Sequence, residues 1–409
     1  MKKKLVILGG GISGNAALKL GNKLGYECII INDNDTENLP ESDLIVASPG
    51  VNPLKSHLYS QAVNEKRIMT GELDFGAAHL DSNIIQLAVT GTNGKTTTTE
   101  LTCHLLNCLG HKCTACGNIG TPVSSIASDT ENVPDVVVIE VSSFQLELAE
   151  NFSPHAAVLL NLKSDHEDRY SGGFEEYCRV KESIFKNVIP ENRFYGYNSF
   201  NKQGRGVIKD NALVYNEKIL VKDLGETLFT SAHNQENLIA ATELVLSVLP
   251  YGEIDVSAFE QAVKSFKFGR HRIEFVTEKN GVKYYNDSKA TNPSAVTSAV
   301  NALKGQGGKI ILMLGGSDKG MDFSELLYLE PYLRAVVLFG ASGDNIGQVF
   351  SDNMKKISAG MDFKHAIQLA SENAEQGDTV LLSPACASFD MFKGYDDRGN
   401  QFCDLVKAL

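Results

Sequence analysis

Short apolar runs that stop at glycine or at polar residues, each followed by a helix-type pattern, recur from one end of the chain to the other. Leu5 to Leu8 empties into a glycine cluster, Asn15 to Leu24 carries a helical pattern, and Cys28 to Ile31 and Leu44 to Ala47 are again strand-like. A second series starts at Ile84 to Thr90 and continues at Val136 to Ile139 and Ala156 to Leu160. Among these strands lie helical patterns: Leu101, Leu105, Leu106 and Leu109 share one side before Gly110, and Phe174 to Val188 and Asn234 to Leu249 follow. A third series runs through Ile273 to Val276, Lys283 to Tyr285, Ile310 to Leu314, Ala335 to Phe339 and Thr379 to Leu382. Strands separated by helices are joined by crossovers, and crossovers pair strands in parallel. The expectation is an α/β protein of three successive domains, residues 1–82, 83–267 and 268–409.

Composition narrows the class. At 409 residues the chain is too long for one ordinary core, and 43% hydrophobic with 22% charged residues excludes a disordered polymer. A formal charge of -12 excludes a broad, non-specific nucleic-acid surface and leaves only local basic pockets. After Met1-Lys2-Lys3-Lys4 only four apolar residues precede the glycines, too few for a secretory signal. No run approaches the roughly 18 apolar residues of a membrane span. A cytoplasmic monomer with no nucleic-acid partner is expected. The eight cysteines are scattered, and Cys113-x-x-Cys116 has neither a second pair nor histidines at zinc spacing, which marks them as buried thiols.

Two glycine loops bear on function. Gly9-x-Gly11-x-x-Gly14 lies between strand and helix, and Asp33 ends the next strand, the pattern of a Rossmann-like dinucleotide site. It suits a nicotinamide cofactor, the diphosphate of a UDP-sugar, or a bare packing turn. In Thr90-Gly91-Thr92-Asn93-Gly94-Lys95-Thr96-Thr97, backbone N–H groups can wrap phosphate oxygens, Lys95 can neutralise the β- and γ-phosphates, and the Thr96 hydroxyl can bind Mg²⁺. Val89 stands where the generic phosphate loop has its first glycine, so this is a variant of that loop on a P-loop ATPase-type sheet. Glu140 ends an apolar strand, where its carboxylate can supply a second metal ligand; a solvated strand end is the plainer reading. His166, in Asn161-Leu162-Lys163-Ser164-Asp165-His166-Glu167-Asp168-Arg169, again follows a strand. Lys181 sits on a helical pattern and by itself reads as solvated.

TGTNGKTT, Glu140 with Val141-Ser142-Ser143-Phe144-Gln145-Leu146-Glu147, and the Asp165-His166 loop resemble the Mur ligases of bacterial cell-wall synthesis. Phe268-Gly269-Arg270-His271-Arg272, Asn286-Asp287-Ser288-Lys289-Ala290-Thr291-Asn292 and Ser383-Pro384-Ala385-Cys386-Ala387-Ser388-Phe389-Asp390 extend the likeness through the third, Rossmann-like domain. The last two stretches look like those of the member that adds D-glutamate to UDP-N-acetylmuramoyl-L-alanine. The resemblance implies a UDP-substrate domain, a central ATPase domain and an amino-acid domain in that order. It implies catalytic roles for Lys95, Glu140, His166 and Lys181, with Lys181, fifteen positions after His166, carbamylated and helping Thr96, Glu140 and His166 to organise Mg²⁺. It assigns ATP to Gly91 through Thr97, Asn234 and Asn237, with Arg272, Asp287 and Lys289 reaching the nucleotide from the third domain. It gives the UDP-substrate to Ile12, Ser13, Asp33, Asn34, Gly50 and Asn118, and D-glutamate to Thr291, Lys319, Ser388, Phe389 and Tyr395. One stretch departs from the pattern: only fourteen residues separate Asp33 from Ser48, so the first domain looks trimmed.

The implied activity is ATP-dependent amide formation through an acyl phosphate. Open beside it stand another amide ligase of the same superfamily, taking a different amino acid or a folate, a nucleotide-gated binding protein without chemistry, and a nicotinamide-dependent oxidoreductase.

Overall fold

The computed structural model describes residues 2–163, 169–196, 206–225, 227–305, 307–318 and 320–409. They form two compact units, Met1–Phe266 and Lys267–Leu409.

The first unit opens with a small parallel sheet. Strands β1 (Lys4–Leu8), β2 (Glu27–Ile31), β3 (Leu44–Ala47) and β4 (Met69–Gly71) take the order β2-β1-β3-β4, with α1 (Ile12–Lys23), α2 (His57–Asn64) and α3 (Glu72–Ala77) between or after them. Helix α1 begins three residues before the periodic pattern does, because its first residue, Ile12, is 77% exposed and carries no core signal. Gly14 has a packing reason to be glycine: a Cβ there would lie 1.9 Å from the carbonyl oxygen of Gly9.

A second sheet in the same unit comprises β5 (Ile85–Thr90), β6 (Cys113–Gly117), β7 (Val136–Glu140), β8 (Ala156–Leu159) and β9 (Arg193–Tyr195), in the order β6-β7-β5-β8-β9, all parallel. Every residue of β7 is buried, as expected of a strand covered on both faces. Helices α4 (Lys95–Cys108), α5 (Val123–Ser128), α6 (Ser143–Leu146) and α7 (Gly173–Glu182) connect these strands. The predicted helix to Val188 is shorter: after α7 the chain tightens into a 3-10 turn at Ser183–Phe185, where the Ser183 hydroxyl donates back to the carbonyl of Val180 at 2.7 Å.

The sequence pattern did not separate out a three-stranded antiparallel sheet of β10 (Gly206–Lys209), β11 (Ala212–Tyr215) and β12 (Lys218–Val221). Its two tight hairpins turn at Asp210-Asn211 and Asn216-Glu217, all four at positive φ, so the signal lay in the turn dipeptides. Helices α8 (Ala232–Val248) and α9 (Val256–Ser265) close the unit, the latter capped by Asp255, which accepts from the N–H groups of Ser257 and Ala258.

The second unit is one six-stranded sheet of β13 (Glu274–Lys279), β14 (Val282–Asn286), β15 (Ile310–Gly315), β16 (Leu333–Phe339), β17 (Lys356–Gly360) and β18 (Thr379–Ala385), in the order β13-β14-β18-β15-β16-β17. Only β13 is antiparallel to its neighbour. Helices α10 (Pro293–Leu303), α11 (Gly343–Gly347), α12 (Phe363–Glu372) and α13 (Tyr395–Ala408) cover it, and buried apolar clusters lie on both faces. Among the described residues no helix is long and apolar enough to cross a membrane.

Candidate active site

Strand register places the chemistry of the first unit. Val89 on β5 pairs with Glu140 on β7, Gly117 on β6 pairs with Glu140, and Thr90 pairs with Leu159 on β8. The loops leaving these four strands therefore leave from one carboxyl edge, where open parallel sheets collect ligands. Gly91 through Gly94 leave β5, Asn118 leaves β6, Val141 leaves β7 and Asn161 to Lys163 leave β8.

Around the phosphate loop the polar groups hold one another. The Lys95 ammonium donates to the carbonyls of Gly91 and Thr92 at 2.9 and 2.8 Å. The Thr96 hydroxyl donates to one oxygen of Glu140 at 2.6 Å, and the Asn118 amide donates to the other at 2.8 Å. Glu140 is only 2% exposed, so these bonds offset part of the cost of burying its charge. Thr97 is buried in the first turn of α4. Lys181, read from sequence as solvated, is also 2% exposed: its ammonium donates to the Gly91 carbonyl at 2.9 Å and to the Thr90 hydroxyl at 3.3 Å. Gly91 thus receives both lysines. His166 lies outside the described residues.

The loop is braced from β8 and α8. Asn161 exchanges two hydrogen bonds with the backbone of Asn93, and the Thr92 hydroxyl meets the Tyr177 hydroxyl at 3.0 Å and accepts from the Lys163 N–H. Asn234 and Asn237 are both buried near the start of α8; Asn234 donates to the Leu228 carbonyl, and Asn237 accepts from Thr98 at 3.3 Å. Gly94 sits at φ +86, and a Cβ on it would come within 2.3 Å of the Asn237 side-chain oxygen. Asn161, Lys163 and Tyr177 escaped sequence reasoning. Tyr177 stood four residues before Lys181, the spacing that puts two side chains on one helix face.

The first sheet carries a separate cleft of about 510 Å³ at its own carboxyl edge, lined by Gly9 to Ser13, Asp33, Ser48 to Asn52 and Lys55, among others. Ile12, Ser13, Asp33 and Gly50 line it; Asn34 is exposed and is not part of the lining. One oxygen of Asp33 already accepts from the Ser56 hydroxyl at 2.9 Å and the Leu58 N–H at 3.1 Å, fixing the start of α2.

In the second unit the carboxyl ends of β14 and β18 meet around buried polar groups. Asp287 accepts from the Ser383 hydroxyl at 2.8 Å and from the Ile273 N–H at 3.2 Å, and burial raises its carboxyl to about 7. Arg398, fully buried on α13, donates to the Ser288 hydroxyl and to the carbonyls of Ser288 and Cys386. Burial lowers its guanidinium to about 10, which leaves it charged at neutral pH. Neither Ser383 nor Arg398 was singled out as a site residue. The Lys289 ammonium lies 5.1 Å from the ring centre of Tyr395, the first residue of α13. Arg272 and Thr291 are half-buried, Ser388 is buried, and Phe389 is 73% exposed. Lys319 lies outside the described residues.

Known proteins share this sequence pattern and fold. A family model described as the Mur ligase middle domain matches residues 89–257, and one described as Mur ligase, glutamate ligase domain, matches 271–386. The UDP-N-acetylmuramoylalanine–D-glutamate ligase of Cytophaga hutchinsonii is 33% identical over the full length of both chains. That of Desulfosudis oleivorans is 38% identical over 90% of this chain and 83% of its own. Among solved structures, the UDP-N-acetylmuramate-alanine ligase MurC of Thermotoga maritima superposes with a TM-score of 0.64 at 19% identity, covering 99% of each chain. MurF of the same organism, in complex with ADP, gives 0.61 at 18% identity over 100% of this chain and 96% of its own. With full-length relatives at this level of identity and both family models in sequence order, the chain belongs to the Mur ligase family.

Proposed function

We infer that the chain is an ATP-dependent carboxylate–amine ligase that joins D-glutamate to UDP-N-acetylmuramoyl-L-alanine, forming ADP and phosphate, in peptidoglycan precursor synthesis in the cytoplasm. The observation that carries the reading is the polar cluster at the central sheet edge: buried Thr96 bonded to buried Glu140, with half-buried Lys95 and buried Lys181 both on the Gly91 carbonyl. Relatives named for this reaction supply the substrate identities. We assign the UDP-substrate to residues 1–82, ATP to 83–267 and the incoming amino acid to 268–409.

The donor set fits Mg²⁺. A hydroxyl and a carboxylate 2.6 Å apart are hard oxygen ligands, and Asn118 fixes the carboxylate's orientation. Thr96, Glu140, His166 and a carbamylated Lys181 would hold the ion, which would supply charge neutralisation at the phosphates. Lys181 stands a hydrogen bond from the loop backbone, so a carbamate there places an anion beside the loop.

The chemistry follows from what a carboxylate lacks. Its charge is delocalised and oxide cannot leave, so the L-alanine carboxylate first attacks the γ-phosphate in line, giving an acyl phosphate and ADP. Lys95 exchanges its loop carbonyls for phosphate oxygens and stabilises the charge that builds there. The D-glutamate amine then attacks the acyl carbon, and the tetrahedral intermediate expels phosphate and loses a proton from nitrogen. Thr291, Lys319, Ser388, Phe389 and Tyr395 are assigned to D-glutamate, and Arg272, Asp287 and Lys289 to the nucleotide. Asn234 and Asn237 are assigned to the adenine side. The cleft of the first sheet, with Ile12, Ser13, Asp33 and Gly50, takes the uridine diphosphate.

The test is phosphate release with the UDP-substrate, D-glutamate, ATP and magnesium, together with positional isotope exchange in ATP when D-glutamate is withheld. Scrambling without D-glutamate is expected. Turnover with L-glutamate or meso-diaminopimelate in place of D-glutamate would overturn the substrate assignment.

A further inference from the structure

Arg169 is an arginine in a turn whose side chain is only 7% exposed. Its Nε and one terminal nitrogen donate to the two oxygens of Glu147 at 2.8 and 2.6 Å, a fork-to-fork pair. The same terminal nitrogen donates to the carbonyl of Val51 at 3.1 Å, and the guanidinium carbon lies 4.1 Å from the ring centre of Phe144. The Tyr170 hydroxyl donates to Glu147 at 3.0 Å, so both carboxylate oxygens are engaged.

The partners belong to two parts of the first unit. Val51 lies in the loop that walls the nucleotide cleft, and that loop is fastened to the glycine turn by the Ser48 hydroxyl, which donates to the Gly9 carbonyl at 2.8 Å. Phe144 and Glu147 lie on and just after α6, the segment that continues from Glu140 through the Ser142–Gln145 capping box. A buried ion pair is a weak source of stability, because desolvation offsets the attraction, and apolar residues would fill the space as well. What a planar fork supplies is direction: three bonds fix the cleft wall against the segment that leads from the metal carboxylate.

We propose that Arg169 is a positioning residue for the reaction. Through Val51 it holds the wall of the UDP cleft at a set distance from Glu140 and the phosphate loop, so that a substrate anchored in the cleft presents its carboxylate to the γ-phosphate. The proposal rests on the functional reading above. Misplacement by about 1 Å can cost roughly a hundredfold in rate, so the contact need not touch substrate to matter.

The test compares Arg169→Lys, Arg169→Ala and Glu147→Gln with the unaltered protein in steady-state assays and in calorimetric titrations with UDP alone. Arg169→Lys keeps the charge and loses the fork. It should raise KM for the UDP-substrate about tenfold or more and lower kcat, while KM for ATP stays within about twofold. Glu147→Gln should shift the same constants by less. Added ethylguanidinium should restore part of the activity of Arg169→Ala and leave Arg169→Lys unmoved. Equal changes in both KM values, or changes in melting temperature alone with normal constants, overturn the proposal. If Arg169→Ala fails to fold, the other two variants carry the measurement. An unaltered protein that binds UDP but never turns over sinks the functional reading, whereas the UDP titrations still report on Arg169. One that turns over while all variants keep its KM sinks only this proposal.

Discussion

Both the central sheet and the sheet of the second unit gather charged groups, most of them buried, at their carboxyl edges, but they hold them differently. In the central sheet Lys95 and Lys181 rest on carbonyls of a loop whose N–H groups suit phosphate, and Glu140 accepts from the Asn118 amide and from the Thr96 hydroxyl, whose oxygen together with the carboxylate suits a cation. In the second unit Arg398 is spent on carbonyls from two neighbouring segments, and Asp287 on one hydroxyl and one N–H. In the proposed mechanism the first set of bonds is exchanged for ligand atoms. The second set closes the ends of strands and the start of α13. Burial alone therefore does not mark a site; what marks it is whether the partners are themselves built to be replaced.

The comparison breaks most visibly at Lys95. Lys95→Met should lower kcat by about a thousandfold or more, because stabilisation of the transferring phosphoryl group is lost, while the melting temperature stays within about 2 °C. Phosphate release and a thermal melt on the same sample decide it, and a large loss of stability would erase the contrast. Arg398→Leu should do the reverse, destabilising the second unit by roughly 3 kcal/mol because three buried acceptors lose their donor. Denaturant unfolding monitored in that unit checks it. At Gly94 the two kinds of loss should combine. Gly94→Ala puts a Cβ against Asn237 at positive φ, so a stability loss of about 2 kcal/mol with weakened ATP binding is expected, read by unfolding and by nucleotide titration.

How much of this was legible depended on whether the signal was local. The phosphate loop, Glu140 at its strand end and the βα alternation are written in contiguous residues, and the structure sets them on one edge. Lys181 was not legible from its residues: nothing in a helical pattern says that a lysine will be buried against a loop ninety positions away in sequence, and only the family resemblance singled it out. Glu147 and Arg169 both stand in short local motifs, yet their pairing across 22 residues has no periodicity to betray it. The antiparallel hairpins after Gly206 were missed because their strands are short and the information sat in Asp210-Asn211 and Asn216-Glu217.

The smallest expected effect is the finest test of the contrast, and it concerns Asp287. Burial raises its carboxyl to about 7 in the folded unit, against roughly 3.9 for an aspartate in an unfolded chain. The folded state then binds the proton that the unfolded state has released, so between those values stability falls as pH rises. The contribution is most favourable below about pH 4 and is lost as the pH passes through about 7. From about pH 6 to about pH 8 the loss should be roughly 1 kcal/mol, and Asp287→Asn should flatten the slope. Urea unfolding of both proteins across that range measures it. If the slope persists in the variant, Asp287 is not its source. If the unaltered protein shows the slope and nucleotide abolishes it, the carboxylate proposed for the nucleotide belongs, like Lys95, to the groups whose partners a ligand can replace, and Arg398 alone stays on the structural side of the contrast.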